Sequence, residues 1–377
     1  MVSALLLALS TGACAGSRAS DPSGPIAMSD LGSKARQRGP VAGGSSSSPS
    51  AANAPGVGVV RSVSHWSFEG TAGQTISTDH FIIRTTDSSP AIAERLPGMM
   101  EAALANYTSV IADLPAPKRV MEMFVLSQRS QWQRLTLREL GERGRGVISI
   151  GRGGFAFGGR AYLFDIGSAD TMSIASHEGW HQYVQTTFVE SLPVWADEGI
   201  ATFMEGHRWV STQGQMSVGF SGWSNMERFE RLRSASNTGD ADDLLTLEVL
   251  LGASPDQILA MGNDKGVTYY AQIWALIHFL REGEGGRYRA GFERMVKDAA
   301  TGRLGATVIN RLRASGQLEG TSRNGVFVLA RSLGVQIFRT YIDPDINRLN
   351  GEYQRFVQQV VAPGSAQRIS QGQSPIR

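Results

Sequence analysis

The chain carries the pattern H-E-x-x-H, formed by His177, Glu178 and His181. Residues four apart lie on one face of a helix, so the two imidazoles can each direct one nitrogen at a single metal ion. Glu178 follows the first histidine and therefore lies beside the metal, where a general base for a water molecule is needed. The residue types and their spacing predict a metal site for hydrolysis, with zinc as the metal and Glu178 as the base.

A third ligand is expected from a second helix, because zinc in hydrolases takes three protein ligands and leaves a fourth position open. The segment 191–194 predicts a helix start with Pro193 in the first turn, so Glu198 falls in the second turn. Asp197 and Glu198 point about 100° apart on a helix, so they cannot both face one metal. We expect Glu198 to be the ligand, and Asp197 to be solvated or bonded to a ligand histidine's free N–H. The small Gly199 is expected to let this helix approach the first.

At these two segments the chain resembles the gluzincin metallopeptidases, and more closely the exported peptidase-MA-like proteins of bacteria, many of which have no known substrate. The residues that carry the resemblance are His177-Glu178-x-x-His181 and Trp195-x-x-Glu198-Gly199-Ile200-Ala201. The similarity is strongest over 175–206 and extends more weakly over 78–285. It implies a zincin-like fold and a zinc peptidase in which His177, His181 and Glu198 bind the metal while Glu178 activates water.

The resemblance also implies a tyrosine that stabilises the oxyanion from the start of a later helix. The segment 268–280 matches that helix in pattern, with Tyr270 as the best match and Tyr269 as the alternative. An edge strand ahead of the motif helix holds extended peptide in this family, and 147–164 is the candidate segment. The glycine-rich signature of aminopeptidases is missing before the motif, so an aminopeptidase is not expected. An endopeptidase is favoured, and the choice between endo- and exopeptidase action stays open.

The chain departs from the family pattern in two places. Sixteen residues separate His181 from Glu198, slightly fewer than in most gluzincins. Thr202 stands four residues after Glu198, where thermolysin-like members have an acidic residue. The side chains that support the ligand histidines are therefore not assigned from the sequence.

Composition indicates a globular protein without a nucleic-acid partner. The 377 residues are 41% hydrophobic and 19% charged, enough for a sizeable core and two subdomains. The formal net charge is +2, which gives no basic face for nucleic acid. The expected partner is a peptide or protein substrate, and the sequence does not indicate an oligomeric state.

The N-terminus predicts export. Residues 1–14 combine a short apolar stretch with small residues, as in a signal peptide or a lipoprotein signal. Cys14 is the chain's single cysteine and follows Gly12 and Ala13 as in a bacterial lipobox, although Thr11 replaces the usual leucine. We expect a protein of the cell envelope or periplasm, with a lipid anchor on Cys14 or with a plain signal peptide and an incidental cysteine. Residues 15–56 predict a disordered Gly/Ser/Pro-rich tether.

The folded part predicts an α+β protein. Residues 57–170 form an α/β subdomain with a small mixed or antiparallel sheet and an edge strand, and 171–360 form a mainly helical metallopeptidase subdomain. A flexible tail is expected at 361–377. The predicted strands are 80–86, 120–126, 146–150 and 160–165, and the predicted helices include 90–111, 266–281 and 288–297. The other histidines, expected at the surface or in the core, are His65, His80, His207 and His278.

Two alternatives to a zinc peptidase stay open at this point. The first is a non-catalytic zinc-binding surface or interaction protein on a gluzincin scaffold. The second is a metal-free domain in which the motif is accidental, since a pattern with three fixed letters has many chance matches. An intact Glu178 argues against the first, because a purely structural metal site does not need it.

Overall fold

The structure is a computed structural model that describes residues 59–149, 153–212, 215–237, 244–253, 255–260, 262–317 and 333–376. All of these residues belong to one compact unit. Cys14, the predicted signal at 1–14 and the predicted tether at 15–56 lie outside the described residues. No helix in the described part of the chain combines the length and apolar character that a bilayer span requires.

A six-stranded mixed sheet forms the N-terminal part of the fold, with the order β1-β2-β3-β4-β6-β5. The β3–β4 and β4–β6 pairs are parallel and the other three pairs are antiparallel. The strands are β1 Ser62–Phe68, β2 Thr71–Ser77, β3 Phe81–Thr85, β4 Met121–Leu126, β5 Gly154–Phe157 and β6 Arg160–Phe164. The strands predicted at 80–86, 120–126 and 160–165 are therefore confirmed, as is the α+β class with a mixed sheet.

Strands β3 to β6 are largely buried on both faces, and their side chains alternate between the two faces. On β4, Met121 and Met123 point to a core shared with two helices, α1 Leu96–Tyr107 and α4 Ser168–Thr187. Phe124 and Leu126 of the same strand join a second cluster around Trp132. This residue belongs to α2, Arg129–Leu140, on the opposite face of the sheet.

The strand predicted at 146–150 is wrong. Residues Gly144–Val147 form a short helix, α3, and the next strand is β5. A Cβ on Gly144 would lie 3.0 Å from the carbonyl oxygen of Thr136, so this glycine allows the chain to fold back against α2. The Ile148 carbonyl accepts hydrogen bonds from the side chains of Arg129 and Gln133 rather than from a neighbouring strand.

The chain after β6 is mainly helical, as predicted. The helices after α4 are α5 Val194–Met204, α6 Met226–Asn237, α7 Leu247–Gly252, α8 Pro255–Ala260, α9 Gly262–Glu282, α10 Arg289–Thr301, α11 Leu304–Ala314, α12 Leu333–Tyr341, α13 Ile346–Val360 and α14 Ser365–Ser370. The helices predicted at 266–281 and 288–297 correspond to α9 and α10. Residues 269–280 of α9 are buried throughout, so this helix is the central element of the C-terminal part.

Two features of this part differ from the prediction. A hairpin of β7, His207–Thr212, and β8, Gln215–Phe220, interrupts the helices after α5. The segment 361–376, expected to be frayed, contains α14, and its Ile369 is fully buried. The hydroxyl of Ser221 also donates to the carbonyl of Gly372 at 2.8 Å. The glycines and prolines that suggested a flexible tail instead bound a short helix that is held to the core by an apolar anchor.

Candidate metal centre

The two helices that carry the motif residues are joined by a short connection that is fixed in place. The backbone N–H groups of Val189 and Glu190 donate to the carbonyls of Ala300 and Ala299 at the end of α10. The Glu190 carboxylate accepts from the first backbone N–H groups of α11. Because this connection between α4 and α5 is tied to α10 and α11, the position of α5 relative to the motif histidines is set by the fold.

The structure brings His177, His181 and Glu198 together. Nε2 of His181 lies 3.3 Å from Nε2 of His177, and Oε2 of Glu198 lies 3.4 Å and 3.6 Å from these two nitrogens. In a tetrahedral zinc site with bonds of about 2.0–2.1 Å, the ligand atoms are about 3.3–3.4 Å apart. The three atoms therefore form a triangle of the size that zinc needs. Glu198 Oε2 is buried without a hydrogen-bond partner among the described residues, as expected of a metal ligand.

A carboxylate lies next to the other ring nitrogen of each imidazole. Nδ1 of His177 donates to Oε1 of Glu205 at 2.8 Å. Nδ1 of His181 lies 3.3 Å from Oδ1 of Asp197 without forming a hydrogen bond to it. Trp180 Nε1 donates to the same Asp197 oxygen at 3.0 Å. The Glu205 bond thus holds His177 with Nε2 towards Glu198, which is the role that carboxylates beside metal-binding histidines have.

Glu205 was not identified from the sequence. Thr202, at the position where thermolysin-like proteins have an acid, donates its hydroxyl to the Gly199 carbonyl within its own helix. The acid comes instead from Glu205, directly after α5. It follows Glu198 by seven residues, which is two helical turns and the same face. That spacing was the signal in the sequence that would have pointed to it.

Glu205 is itself fixed by four hydrogen bonds. Besides the His177 bond, Oε1 accepts from Nη2 of Arg228 at 2.9 Å. Oε2 accepts from Nε of Arg228 at 3.1 Å and from Nδ2 of Asn225 at 2.6 Å. Burial alone would raise the pKa of Glu205, but the Arg228 charge and the His177 bond lower it to about 2. Glu205 is therefore an anion with little freedom to turn.

Glu178 has the opposite environment. Its side chain is fully buried, and neither carboxylate oxygen has a hydrogen-bond partner among the described residues. Without a bound metal ion, burial raises the pKa of Glu178 to about 7, although the charges of His177 and His181 oppose this. Burial would raise the pKa of Glu198 as well, but the same two histidines lower it to about 2. The two glutamates therefore differ in pKa. The low pKa of Glu198 suits a metal ligand, and the raised pKa of Glu178 suits a proton acceptor.

The two tyrosines that the sequence left as alternatives have different surroundings on α9. The hydroxyl of Tyr269 donates to the carbonyl of Leu250 at 3.4 Å. The hydroxyl of Tyr270 is buried without a partner in the described part of the chain. Burial and the charge of Glu198 raise the pKa of Tyr270 well above its usual value, so this hydroxyl keeps its proton. Tyr270 is the one with a donor available near the metal ligands.

Gly199 does not have the expected role. A Cβ at this position would lie 2.9 Å from Cγ1 of Ile277 and 3.2 Å from the carbonyl of Ile273, both on α9. Gly199 therefore allows a close approach of α5 to α9, not to α4. The close contact of α4 is made by Gly179 within the motif, where a Cβ would lie 2.7 Å from the hydroxyl of Tyr107 on α1.

Two glutamines connect the motif helix to the edge of the sheet. Nε2 of Gln182 donates to the carbonyls of Glu122 and Gly159 at 2.6 Å and 3.0 Å. Gln185 donates from Nε2 to the carbonyl of Ala156 at 3.2 Å and accepts from the backbone N–H of Gly159 at 3.0 Å. The segment 147–164, expected to contain an edge strand, does contain β5 at the edge of the sheet, and α4 is bonded to it directly.

A family model described as "Protein of unknown function (DUF1570)" matches residues 171–301. No curated protein matches the chain. The matched segment begins in α4, ends with α10, and contains the three candidate ligands together with Glu178, Glu205 and Tyr270. Over the part that builds the candidate metal centre, the chain is therefore similar to a family whose function is not described.

Proposed function

We propose that the protein is a zinc-dependent peptide hydrolase that acts as an endopeptidase. The observation that carries the proposal is the triangle of His177, His181 and Glu198, whose sides of 3.3, 3.4 and 3.6 Å match a tetrahedral zinc site. Two histidines and one glutamate are a known ligand set of catalytic zinc, with a fourth position left for water. A zinc ion bound there supplies the Lewis acidity that activates a water molecule for hydrolysis.

Glu178 is the proposed general base. Neither of its oxygens is engaged by another described residue, so the carboxylate is free to take a proton from the attacking water. The same group can then pass that proton to the leaving amine. General base catalysis by a positioned side chain contributes about 10²–10⁴-fold to a rate. A site that only held a metal for structure would not need a buried carboxylate with no partner.

Tyr270 is the proposed donor to the oxyanion. Its hydroxyl is buried and unpartnered among the described residues, and it keeps its proton because its pKa is raised. A hydroxyl placed in this way can donate to the oxygen that gains charge as the carbonyl is attacked. One such donor is worth roughly 3 kcal/mol of barrier.

An extended peptide is the proposed substrate. β5, one of the two edge strands of the sheet, is bonded through Gln185 to the helix that carries both histidines. Edge strands bind extended peptides through main-chain hydrogen bonds. The position of β5 beside α4 therefore supports a peptide over a small-molecule ester or a sugar.

The test uses the full chain, its zinc content and a set of quenched fluorescent peptides. The wild type should bind one zinc ion per chain and cleave, and a chelator should stop cleavage. Glu178→Gln should keep its zinc and lose about 10²–10⁴-fold in rate. The exposed Glu94 on the N-terminal side of α1 offers a matched control, since Glu94→Gln should change neither property. A Glu178→Gln protein that cleaves at the wild-type rate would refute the proposal.

A second candidate function is a zinc-binding interaction protein without catalysis. It is favoured by the burial of the whole group, since His177, Glu178 and His181 are all fully buried. The same experiment separates the two candidates. One zinc ion per chain with no cleavage by the wild type, and unchanged zinc affinity in Glu178→Gln, would support this second candidate.

A further inference from the structure

The side chain of Arg228 is buried between two parts of the candidate centre. It lies near the start of α6 and is 3% exposed. On one side its guanidinium makes a two-point contact with Glu205, through Nε to Oε2 and Nη2 to Oε1. On the other side its Cζ lies 5.5 Å from the centre of the Tyr270 ring. One cation therefore contacts both the partner of a ligand histidine and the proposed oxyanion donor.

The Glu205 carboxylate has no remaining freedom in this arrangement. Oε1 accepts from His177 and Arg228, and Oε2 accepts from Arg228 and Asn225. A carboxylate has about four lone-pair directions, so all of them are used. A planar guanidinium fixes the plane of the carboxylate that it binds, which a lysine ammonium cannot do. The orientation of Glu205, and with it that of the His177 ring, therefore follows the orientation of Arg228.

The Tyr270 ring holds the guanidinium from the opposite side. A cation over an aromatic ring within about 6 Å is attracted to its face, and more strongly when both are desolvated. Tyr270 is 2% exposed, so the contact is removed from solvent. The ring and the carboxylate together leave Arg228 a narrow range of positions.

We propose that Arg228 is a positioning residue that couples the His177 imidazole, through Glu205, to the Tyr270 ring. The proposal rests on the metal centre of the proposed function. In this role, Arg228 fixes the position of the ligand His177 relative to the Tyr270 hydroxyl that acts on the substrate. Arg228 itself contacts neither of the metal-facing Nε2 atoms.

A purely structural role for Arg228 would be to fasten α6 to α9, and the chain offers a control for that role. Arg231 lies one turn further along α6 and donates to the Asp264 carbonyl and the Thr268 hydroxyl on α9. Among the described residues, the hydrogen bonds and ion pair of Arg231 go to Thr268 and Asp264, not to Glu205 or Tyr270. Loss of Arg231 therefore weakens the helix contact without touching the coupled group.

The experiment measures the affinity of the full chain for Co²⁺, followed by the visible absorption of the bound ion. Arg228→Met should weaken Co²⁺ binding by about 10–100-fold, as loss of a residue behind a ligand typically does. Arg228→Lys should lose less, because it keeps the charge but not the planar fork. Arg231→Met should stay within about 2-fold of the wild type, since it leaves the ligand geometry unchanged.

Coupling is tested with two further sets of variants. If Arg228 acts through Glu205, Glu205→Gln with Arg228→Met should lose no more affinity than the worse single variant. This double variant also removes both buried charges together, so it carries the test if Arg228→Met alone does not fold. Tyr270→Leu should weaken Co²⁺ binding when Arg228 is present and have no effect in Arg228→Met. Tyr270→Phe keeps the ring and should leave Co²⁺ binding unchanged.

The outcomes distinguish this proposal from the proposed function. Unchanged Co²⁺ affinity in both Arg228 variants, equal losses in Arg231→Met, or additive losses in the double variant would overturn the role of Arg228. A wild type that binds no metal would overturn both. A wild type that binds Co²⁺ and cleaves nothing would overturn the hydrolase alone, while the affinities would still decide on Arg228.

Discussion

Substitution of Glu178 by glutamine should change the stability of the metal-free protein in a pH-dependent way. Burial raises the pKa of Glu178 to about 7 in the folded protein, from its ordinary value of 4.5 in an unfolded chain. Between these two values the folded chain holds a proton that the unfolded chain has released. Stability therefore falls as pH rises through this range, and it levels off above about pH 7. Glutamine carries no titrating proton, so Glu178→Gln removes this loss.

The size of the effect follows from the difference of 7 − 4.5 = 2.5 pKa units. At about 1.4 kcal/mol per pKa unit, the ionised Glu178 lowers the free energy of unfolding by roughly 3 kcal/mol at high pH. Near pH 4 the acid is neutral in the folded state and mostly neutral in the unfolded state, so the cost is close to zero. The advantage of Glu178→Gln over the wild type should therefore grow by about 3 kcal/mol between pH 4 and pH 8.

Urea unfolding of chelator-treated protein, repeated at several pH values, measures this difference directly. Glu94→Gln, at an exposed position, should run parallel to the wild type over the whole range. An advantage of Glu178→Gln that is the same at pH 4 and pH 8, or that is larger at pH 4, would show that Glu178 is not the buried, unpartnered carboxyl described above.

Two further predictions concern packing around the centre. Gly199→Ala should destabilise the protein by about 1–3 kcal/mol, because the new Cβ would lie 2.9 Å from Cγ1 of Ile277. In thermal unfolding, a loss no larger than that of Gly219→Ala, where a Cβ meets nothing within 4 Å, would contradict the close approach of α5 to α9. Ile369→Ala should cost about 2–5 kcal/mol and speed proteolysis of the C-terminal segment, because Ile369 is fully buried. A cost near zero would mean that α14 does not dock.

The parts of the fold that follow from local pattern were predictable from the sequence. The strands around Ile83, Met123 and Leu163 are short apolar runs bounded by polar residues. Such runs are typical of strands that are buried on both faces of a sheet. The placement of His177 beside His181 needs nothing but the helical period. The convergence with Glu198 was predictable because the connection between the two helices is short.

The features that sequence reasoning missed depend on contacts between distant segments. Glu205 becomes the partner of His177 only because Asn225 and Arg228, from another helix, hold its carboxylate. The apolar pair Val147 and Ile148 predicted a strand. Instead, packing against α2 and side-chain hydrogen bonds to the Ile148 carbonyl stabilise a turn of helix there.

The choice between Tyr269 and Tyr270 was open for a simpler reason. Adjacent residues on a helix differ by about 100°, and which of them faces the neighbouring helix depends on the rotation of α9 against α5. The local sequence pattern does not determine how α9 is rotated relative to α5. In the structure one hydroxyl bonds to Leu250 and the other has no partner in the described part of the chain, which favours Tyr270 without testing its role.

The hydrogen bonds from the α4 glutamines to the β5–β6 hairpin limit which insertions and deletions the sequence can accept in evolution. One inserted or deleted residue between His181 and Gln185 would rotate the glutamine side chain by about 100°, away from Ala156 and Gly159. The stretch from His177 to Gln185 therefore has a fixed number of residues, set by the candidate metal centre at one end and by β5 at the other. Side chains within this stretch can be substituted, but residues cannot be inserted or deleted without loss of these contacts.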